Sequence, residues 1–236
     1  MNNQNIFWNI NNTPVSIHFN DIYFNNDNAI AETDYVFIKG NQLMQRFIEF
    51  DQPIFTVAET GFGSGLNFLV LWQQFLQFKQ HYPNHILKQI HFYSIEKYPL
   101  SLLDMRKIHQ QIICDNTLNI LAGKLQQFWP TPIHQFDTIK LHLLFDDIDQ
   151  YAHFLNKHNV LIDAWFFDGF SPNKNPAMWS ESLFKQLFPL TQLGGTFATF
   201  TASGQVRRNL INAGFTIKKI KGYGKKREML IGLREF

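Results

Sequence analysis

The chain has 236 residues, of which 45% are hydrophobic and 17% charged, values typical of a globular protein rather than a fibre or a disordered chain. Its single cysteine, Cys114, excludes an internal disulfide bond and a metal site built from several cysteines. No apolar run is long enough to cross a bilayer, and no Lys or Arg precedes Lys39, so neither a transmembrane span nor a targeting peptide is expected. These features favour a cytoplasmic location.

Charge is distributed unevenly along the chain, although the net charge is only +2. From Lys174 onward there are 11 Lys and Arg against 3 Asp and Glu, whereas the preceding residues carry 10 against 16. A basic C-terminal part on a near-neutral protein is compatible with a polyanionic partner or with an ordinary solvated surface.

The hydrophobic pattern predicts secondary structure along the chain. Residues 16–24 and 34–38 are expected to be extended, with a polar turn over residues 25–33 between them. From residue 54 onward, short apolar runs alternate with segments whose apolar residues recur at helical spacing. Expected strands cover residues 54–59, 89–96, 137–145, 161–168, 194–201, 214–222 and 226–233. Expected helices cover residues 66–80, 100–113, 148–157, 179–190 and 204–213, with Asp149 and Ser180 as N-caps.

Strand–helix alternation that ends in two adjacent strands predicts a doubly wound α/β fold. The sheet is expected to be mostly parallel with an antiparallel last strand, and the nearly all-apolar strand at 161–168 is expected to be buried on both faces. Residues 1–50 would form a small β-rich extension packed on a domain that spans residues 51–236. The sequence contains no repeat, low-complexity segment or Gly/Ser linker.

Three alternating glycines, Gly61, Gly63 and Gly65, stand between the first strand of this sheet and the first helix. In such folds ligands bind beyond the carboxyl ends of the strands, and glycine lets a ligand contact bare backbone. A dinucleotide fingerprint would read G-x-G-x-x-G with its acid about 20 residues further on. Here the third glycine comes one residue early, and the acid that ends the second strand, Glu96, comes later than that spacing.

Acidic residues around this loop indicate the ligand. Glu59 precedes the glycines, where it would repel a pyrophosphate but attract a cationic amino acid. Glu96 is placed to accept the two hydroxyls of a ribose. S-adenosylmethionine combines an α-amino group, a sulfonium and a ribose diol without phosphate, so it fits better than a nicotinamide dinucleotide. Asp147, after the third strand, would accept the exocyclic amine of adenine, and Asp146 is its alternative.

Five motifs carry a resemblance to a known family: AETGFGSGLNFL, SIEKYPL, DAWFFDGFSPNKNPAMW, GGTFATFT and GYGKKREML. Together they resemble the methyltransferase domain of the tRNA 5-methylaminomethyl-2-thiouridine biosynthesis family. The resemblance implies a Rossmann-like class I fold that uses S-adenosylmethionine to methylate the aminomethyl nitrogen of 5-aminomethyl-2-thiouridine at the tRNA wobble position. Within the first motif, Asn67 joins the glycines as an expected cofactor contact. Asp146 departs from the family, whose members generally carry glycine there.

The resemblance also bears on partners. Many relatives carry a C-terminal flavin-dependent oxidoreductase domain, whereas this chain stops at Phe236 and is expected to lack that domain and its oxidase activity. A separate FAD-dependent oxidase is then a candidate supplier of the substrate.

Asp168 directly follows the fourth strand and opens the stretch Asp-Gly-Phe-Ser-Pro, which resembles the Asp/Asn-Pro-Pro-aromatic motif of amine methyltransferases. A carboxylate there would stabilise the positive charge that develops on the acceptor nitrogen and would align its lone pair. With an ordinary aspartate pKa of about 3.9 it would be a weak base for an alkyl amine, so the amine is expected to arrive neutral or to lose its proton to water. Phe170, and alternatively Trp179, would stack on the flipped uracil.

Basic residues near the C-terminus are the candidate contacts to the tRNA anticodon stem-loop, whose phosphates they would neutralise. They are Lys218, Lys219, Lys221, Lys225, Lys226 and Arg227. Because side chains alternate along a strand, at most half of them can face the RNA. Nine histidines show no zinc-site spacing, so no metal is expected. The alternatives left open are another amine acceptor, an NAD-dependent oxidoreductase, and an RNA-binding module without catalysis.

Overall fold

The computed structural model describes residues 5–24 and 28–236, in which an eight-stranded sheet carries helices on both faces. The strands are β1 Ile6–Trp8, β2 Pro14–Ser16, β3 Ile54–Thr60, β4 Gln89–Ile95, β5 Ile133–Gln135, β6 Ile139–Leu144, β7 Ile162–Phe166, β8 Thr191–Thr199, β9 Thr216–Lys221 and β10 Glu228–Leu233. The α-helices are α1 Ala29–Thr33, α2 Leu43–Glu49, α3 Leu66–His81, α4 Leu102–Ile112, α5 Asn116–Phe128, α6 Tyr151–Lys157, α7 Glu181–Leu187 and α8 Gly204–Ala213. A π-helical turn covers Asp34–Lys39, and 3₁₀ turns cover Ile148–Gln150, Pro176–Trp179 and Phe188–Leu190.

The strand order of the main sheet is β5-β6-β4-β3-β7-β8-β10-β9. Strands β6, β4, β3, β7 and β8 run parallel, whereas β10 pairs antiparallel with β8 and β9, and β5 pairs antiparallel with β6. The predicted mostly parallel α/β sheet with an antiparallel last strand is therefore confirmed. Because β4 and β7 lie on opposite sides of β3, the winding reverses there, and such a reversal opens a crevice at the carboxyl end of the strand.

Both faces of the central strands are covered by helices. On β3, Val57 packs in the core that contains the buried faces of α3 and α5, and Ala58 packs in the core that contains those of α6, α7 and α8. On β7, Phe166 and Trp165 divide between the two cores in the same way, and all four side chains are 0% exposed. The prediction that residues 161–168 contain a strand buried on both faces is confirmed.

The N-terminal segment is only partly β-structured. β1 pairs antiparallel with β2, and Val15 forms an isolated bridge with Ile22. The chain from 28 onward becomes helical, because the Asn28 side chain caps α1 by accepting the Ala31 N–H at 3.0 Å. Of the polar turn predicted at residues 25–33, residues 25–27 lie outside the described residues, and the remainder belongs to this cap and helix.

The prediction of an extended segment at residues 34–38 is wrong, since these residues form the π-helical turn that continues α1. Three consecutive apolar residues, Val36, Phe37 and Ile38, resemble a strand in sequence, yet all three pack into the core shared with α3. Packing against the sheet thus overrides the local pattern. The division into an extension at 1–50 and a domain at 51–236 stays a prediction, although α1 and α2 bury residues in that same core.

Elements that were not expected from the sequence include α2, α5 and β5. α5 begins after Asp115, whose carboxylate accepts the Leu118 N–H at 2.8 Å, and it buries Leu118, Leu121 and Leu125 at helical spacing. The predicted N-cap at Ser180 is confirmed, because its hydroxyl accepts the Leu183 N–H at 3.2 Å.

The predicted N-cap at Asp149 is wrong. This residue lies inside the 3₁₀ turn Ile148–Gln150, and Gln150 occupies the N-cap position of α6 without a capping side-chain hydrogen bond. The 3₁₀ turn therefore takes the place of a side-chain cap at the start of this helix.

Both ring nitrogens of His142, on β6, lack a hydrogen-bond partner among the described residues. The side chain is 5% exposed, and its ring stacks on Tyr93 with centroids 4.3 Å apart. Burial, together with the positive charges of Lys140, His91 and His158, lowers the pKa of His142 to about 3. The folded protein therefore holds this imidazole neutral.

Replacing His142 with Phe is expected to raise the free energy of unfolding by about 1 kcal/mol at pH 8, because two unsatisfied buried polar atoms are removed while an aromatic ring remains. The gain should grow as the pH falls from 7 toward 4. The unfolded wild-type chain takes up a proton near pH 6.5, whereas folded His142 does so only near pH 3, so wild type loses stability through that window and the variant does not. Urea unfolding at several pH values measures the difference, with exposed His153→Phe as the control. Destabilisation of His142→Phe at every pH would contradict it.

Candidate active site

An open cavity of about 670 Å³ lies beyond the carboxyl ends of the parallel strands. This volume falls within the range of roughly 300–1,000 Å³ typical of small-molecule sites. The loops that follow β3, β4, β6 and β7 contribute Gly61, Glu96, Asp147 and Asp168, respectively, to its wall. The fold therefore brings to one place the four loops in which the sequence predicted site residues.

The three glycines after β3 have different surroundings, although all have positive φ angles, 91° for Gly61, 55° for Gly63 and 77° for Gly65. Gly61 and Gly63 line the cavity, so bare backbone faces a ligand there. Gly65 instead lies under the start of α3, where a Cβ would come within 2.8 Å of the Phe62 ring. Its contribution is close packing of the helix start, and a direct ligand contact by Gly65 stays a prediction.

Glu96 is held rigidly at the cavity wall by backbone donors. Its Oε2 accepts the Gly63 N–H at 2.9 Å, and its Oε1 accepts the Tyr98 N–H at 2.8 Å. Burial raises the pKa of Glu96, and hydrogen bonds from the backbone of Tyr98, Gly63 and Lys97 oppose this rise. The carboxylate is thus fixed beside the glycine loop, as a ribose-binding acid would need to be.

Asp146 and Asp147 both line the cavity, so the structure leaves open which of them would meet an adenine. Asp147 forms an ion pair with Lys97, which lowers the pKa of Asp147. Asp146 is exposed, and its carboxylate accepts the Asp147 N–H at 2.7 Å. The role predicted for Asp147 stays a prediction, because part of its acceptor capacity is already used by a lysine.

Asn67 connects Glu59 and Asp168, two of the acidic residues that the sequence predicted for the site. Its Nδ2 donates to Glu59 Oε1 at 2.7 Å and to Asp168 Oδ2 at 2.6 Å. Its Oδ1 accepts from the Thr33 hydroxyl at 2.9 Å. Since both amide protons are used on carboxylates, Asn67 fixes Glu59 and Asp168 relative to each other.

Asp168 is held at its backbone as well as at its side chain. The Thr60 hydroxyl accepts the Asp168 N–H at 3.0 Å and donates to the Asp168 carbonyl at 2.8 Å. The carboxylate also accepts the Gly169 N–H at 2.8 Å. Burial raises the pKa of Asp168 to about 6, while the bonds from Gly169 and Asn67 lower it. The expectation of an ordinary aspartate pKa is therefore wrong, and this carboxylate is a stronger base than an exposed one.

Glu59 is 0% exposed and lies behind Asn67 rather than in the cavity wall. Its second oxygen accepts from the Ser94 hydroxyl at 2.8 Å. Burial raises the pKa of Glu59, and the nearby charge of Asp168 raises it further. The direct contact predicted between Glu59 and a cationic ligand stays a prediction, and the geometry favours an indirect action through Asn67.

The two aromatic candidates for base stacking occupy different environments. Phe170 lines the cavity and contacts Phe19 and Tyr23, with ring centroids 4.9 and 5.1 Å away. Trp179 is 3% exposed and packs in the core under α7 and α8. Its indole N–H donates to the Phe170 carbonyl at 2.8 Å. The prediction that Trp179 is an alternative stacking surface is therefore wrong, because its ring is buried in the core and bonded to the Phe170 loop.

The basic residues separate into a group on an edge strand and a group in the turn before β10. Lys218, Lys219 and Lys221 lie on β9, where Lys219 pairs with Glu228 at 2.7 Å. In the turn, Lys225, Lys226 and Arg227 are all exposed, and Lys226 also lines the cavity. The sequence did not indicate this separation, and phosphate contacts stay a prediction for all of them.

Sequence reasoning missed the contribution of the N-terminal segment to the cavity. Phe19, Tyr23, Glu32 and Thr33 are part of its wall. Asp21 accepts the Ser171 N–H at 2.9 Å, which attaches this segment to the loop after β7. The Asn28 cap was the available signal, because it predicts a helix that would carry Glu32 and Thr33.

No group of three or more His, Cys, Asp or Glu side chains within residues 5–24 and 28–236 is placed to hold a metal ion. Over the same residues, the helices are too short or too polar to span a bilayer. Cys114 is exposed.

Comparison with known proteins shows which family the chain belongs to. Residues 116–235, just over half of the chain, match a family model described as S-adenosyl-L-methionine-dependent methyltransferase. The chain belongs to this family. The methyltransferase is 47% identical to the tRNA 5-methylaminomethyl-2-thiouridine biosynthesis bifunctional protein MnmC of Vibrio campbellii, a similarity that covers 99% of the chain and 35% of that protein. It thus spans about a third of the length of this relative.

The fold of the methyltransferase is shared with a solved structure. The crystal structure of MNMC2 from Aquifex aeolicus matches 99% of the chain and 71% of that protein, with a TM-score of 0.77 and 21% identity. These comparisons confirm the predicted class I methyltransferase fold and S-adenosylmethionine as the methyl donor. The alternative of an NAD-dependent oxidoreductase is wrong.

Proposed function

We propose that this chain methylates the aminomethyl nitrogen of 5-aminomethyl-2-thiouridine at the tRNA wobble position, giving 5-methylaminomethyl-2-thiouridine. The 47% identity to a protein named for this biosynthesis supports the proposal. The observation that carries it is the position of Asp168, which is held through its backbone and its carboxylate in a cavity that Gly61, Gly63 and Glu96 also line. An anionic group beside the acceptor nitrogen stabilises the positive charge that develops on it during methyl transfer.

The residues around the glycine loop fit the donor. S-adenosylmethionine supplies an electrophilic methyl group on a sulfonium when bound. Gly61 and Gly63 offer open backbone, and a Cβ on Gly61 would come within 3.3 Å of Met178 at the cavity wall. Glu96 would accept the ribose hydroxyls, and Asp147 or Asp146 the adenine amine. Asn67, hydrogen-bonded to Glu59, would interact with the amino-acid part of S-adenosylmethionine.

Asp168 would hold the acceptor amine by accepting a hydrogen bond from one of its N–H groups. Its pKa of about 6 leaves it ionised at neutral pH, yet well below the pKa of about 10 typical of an alkylamine. Asp168 therefore orients the lone pair and stabilises the growing positive charge more than it removes a proton. The amine would arrive neutral or lose its proton to water.

The tRNA would approach over the N-terminal segment and the turn before β10. Phe170, in the cavity wall, would stack on the extruded uracil, an interaction worth roughly 1–3 kcal/mol. Lys225 and Arg227 are exposed on either side of Lys226, which lines the cavity, and they would contact phosphates of the anticodon stem-loop. In the division of the chain predicted from the sequence, the proposed RNA contacts would lie on both the 1–50 extension and the 51–236 domain.

The cellular setting follows from the substrate. A tRNA substrate is consistent with a cytoplasmic protein, and we propose that location. An FAD-dependent oxidase, whether a separate protein or part of a longer chain, would supply the aminomethyl group that this site methylates.

Incubation of the purified chain with S-adenosylmethionine and tRNA carrying 5-aminomethyl-2-thiouridine tests the proposal. Nucleoside mass spectrometry is expected to show one added methyl group, located on the side-chain nitrogen of the wobble nucleoside. Matched tRNA with unmodified wobble uridine is the control and should stay unmethylated. Methylation of another nucleoside or of a free amine would favour a different acceptor, and binding of tRNA without any methylation would favour an RNA-binding module.

A further inference from the structure

Glu32 and Lys226 form an ion pair in the cavity wall from segments that are 194 residues apart. The Lys226 Nζ lies 2.7 Å from Glu32 Oε1 and 4.7 Å from the centroid of the Phe200 ring. The side chain of Glu32 is only 18% exposed and that of Lys226 is 44% exposed. Both members of the pair line the cavity, whereas Lys225 and Arg227 in the same turn do not.

The ion pair lies at the acceptor end of the cavity. Glu32 directly precedes Thr33, whose hydroxyl bonds to Asn67, and Asn67 in turn donates to Asp168. The charges of Lys226 and Glu32 also reach Asp168, lowering and raising its pKa respectively. A substrate whose amine rests on Asp168 would therefore have the neighbouring part of its ring beside this pair.

We propose, on the basis of the proposed function, that Lys226 and Glu32 recognise the Watson–Crick edge of the uracil whose aminomethyl group rests on Asp168. In uracil, the O4 carbonyl adjoins the C5 carbon that bears the aminomethyl group, and the N3–H follows it. A lysine can only donate and an ionised glutamate can only accept. Lys226 thus donates to O4, and Glu32 accepts from N3–H.

Cytosine presents the opposite order at these positions, an N4 amino donor followed by an N3 acceptor. Bound in the same pose, it would set the Lys226 ammonium against an amino group and the Glu32 carboxylate against a lone pair. A site whose polar groups would be left without partners rejects a similar ligand that cannot pair with them. The pair therefore selects uridine over cytidine.

The ion pair can remain formed while it binds the base. An ammonium has three donors and a carboxylate about four acceptor positions, so one bond between Lys226 and Glu32 leaves capacity on each. The preformed contact also fixes both side chains before the tRNA arrives, which lowers the entropy cost of binding.

Two anticodon stem-loops, with 5-aminomethyl-2-thiouridine or 5-aminomethylcytidine at the wobble position, test this proposal through the ratio of their kcat/KM values. Glu32→Gln and Lys226→Met are each expected to lower the preference for uridine by about tenfold or more, since a matched pair of hydrogen bonds discriminates between bases by roughly 1–3 kcal/mol. Exchange of the charges, Glu32→Lys with Lys226→Glu, keeps an ion pair and is expected to shift the preference toward cytidine. Lys225→Met, its exposed neighbour, is the control and should keep the wild-type preference.

Calorimetric titration with S-adenosylmethionine establishes that each variant is folded, and the charge-exchanged variant decides if Glu32→Gln fails to fold. If the wild type does not methylate the uridine stem-loop, the proposed function itself fails. If the wild type methylates it but all three variants keep the wild-type base preference, only recognition by this pair is overturned. The salt dependence of KM is measured for the same variants. If it falls in Lys226→Met by as much as in Lys225→Met, Lys226 is a phosphate contact, and recognition of the base by this pair is overturned as well.

Discussion

Replacing Asp168 with Asn is expected to lower kcat for methyl transfer by about 10²–10⁴-fold while the affinity for S-adenosylmethionine changes by no more than about twofold. The amide has the shape of the carboxylate but no charge to stabilise the nitrogen cation. Its oxygen can still accept from Asn67 Nδ2, which lies 2.6 Å from Asp168 Oδ2 in wild type, so that only the acceptor of the Gly169 N–H is lost. Single-turnover methylation and calorimetry measure the two quantities separately.

The pH dependence of this reaction gives a second measurement. Because burial raises the pKa of Asp168 to about 6, the carboxylate is lost as the pH falls through 6. The acceptor amine also becomes protonated as the pH falls, so the slope of log(kcat/KM) against pH should steepen from about one to about two below pH 6 in wild type. Asp168→Asn should keep a slope near one throughout. Asp149→Asn, at an exposed acid in a 3₁₀ turn, is the control and should behave as wild type. A wild-type kcat in Asp168→Asn would remove this carboxylate from the chemistry.

The convergence of Gly61, Glu96 and Asp168 was predictable from the sequence for a general physical reason. In a doubly wound parallel sheet, all the carboxyl ends of the strands lie at one edge, so residues that directly follow predicted strands must meet there. Recognising β3, β4 and β7 as strands was therefore sufficient to bring these residues together.

The contribution of Glu32 and Thr33 was not predictable in this way. They lie on a short helix whose position depends on contacts with the sheet, and the polar run before it reads equally well as a turn. The apolar run that follows, at residues 34–38, fits a strand by composition and is helical only because of packing.

The environment of an aromatic side chain also could not be predicted from the residues next to it in the sequence. Phe170 and Trp179 belong to the same motif and are both plausible stacking surfaces in sequence. Only the tertiary structure distinguishes them, since Phe170 faces the cavity and Trp179 faces the core. Whether a loop residue points inward or outward depends on elements that are distant in the chain, here α7 and α8.

Sharing of hydrogen-bond partners also becomes visible only in three dimensions. Asn67 was expected near the cofactor, but its two bonds to Glu59 and Asp168 make it the donor on which two buried carboxylates depend. A carboxylate that loses such a bond becomes harder to ionise, so its pKa rises. The site chemistry thus depends on a side chain that need not touch the reacting nitrogen.

Replacing Asn67 with Leu, which has a similar shape, is expected to lower the free energy of unfolding at pH 8 by about 2–4 kcal/mol, because two charge-assisted hydrogen bonds are lost. The pKa of Asp168 should rise above about 6, which moves the acid limb of the rate profile to higher pH. Groups whose folded pKa lies above the unfolded value favour folding at low pH and lose that contribution as the pH rises through the folded pKa. The destabilisation should therefore shrink as the pH falls from 8 through the raised pKa of Asp168 toward 6, because protonation removes the uncompensated charge.

Asn209→Leu provides the matched control for this variant. Asn209 is also a helical asparagine that is 7% exposed, but its Nδ2 donates to the neutral Trp179 carbonyl at 2.7 Å. Its Oδ1 also accepts from Gln205 Nε2 at 2.8 Å, so the variant loses two neutral hydrogen bonds, which should cost about 1–2 kcal/mol and leave the acid limb in place. Denaturant unfolding and rate profiles from pH 5 to 9 compare the two variants. Equal pH profiles for Asn67→Leu and Asn209→Leu would mean that Asn67 contributes only packing, and that the ionisation of Asp168 is set by burial without it.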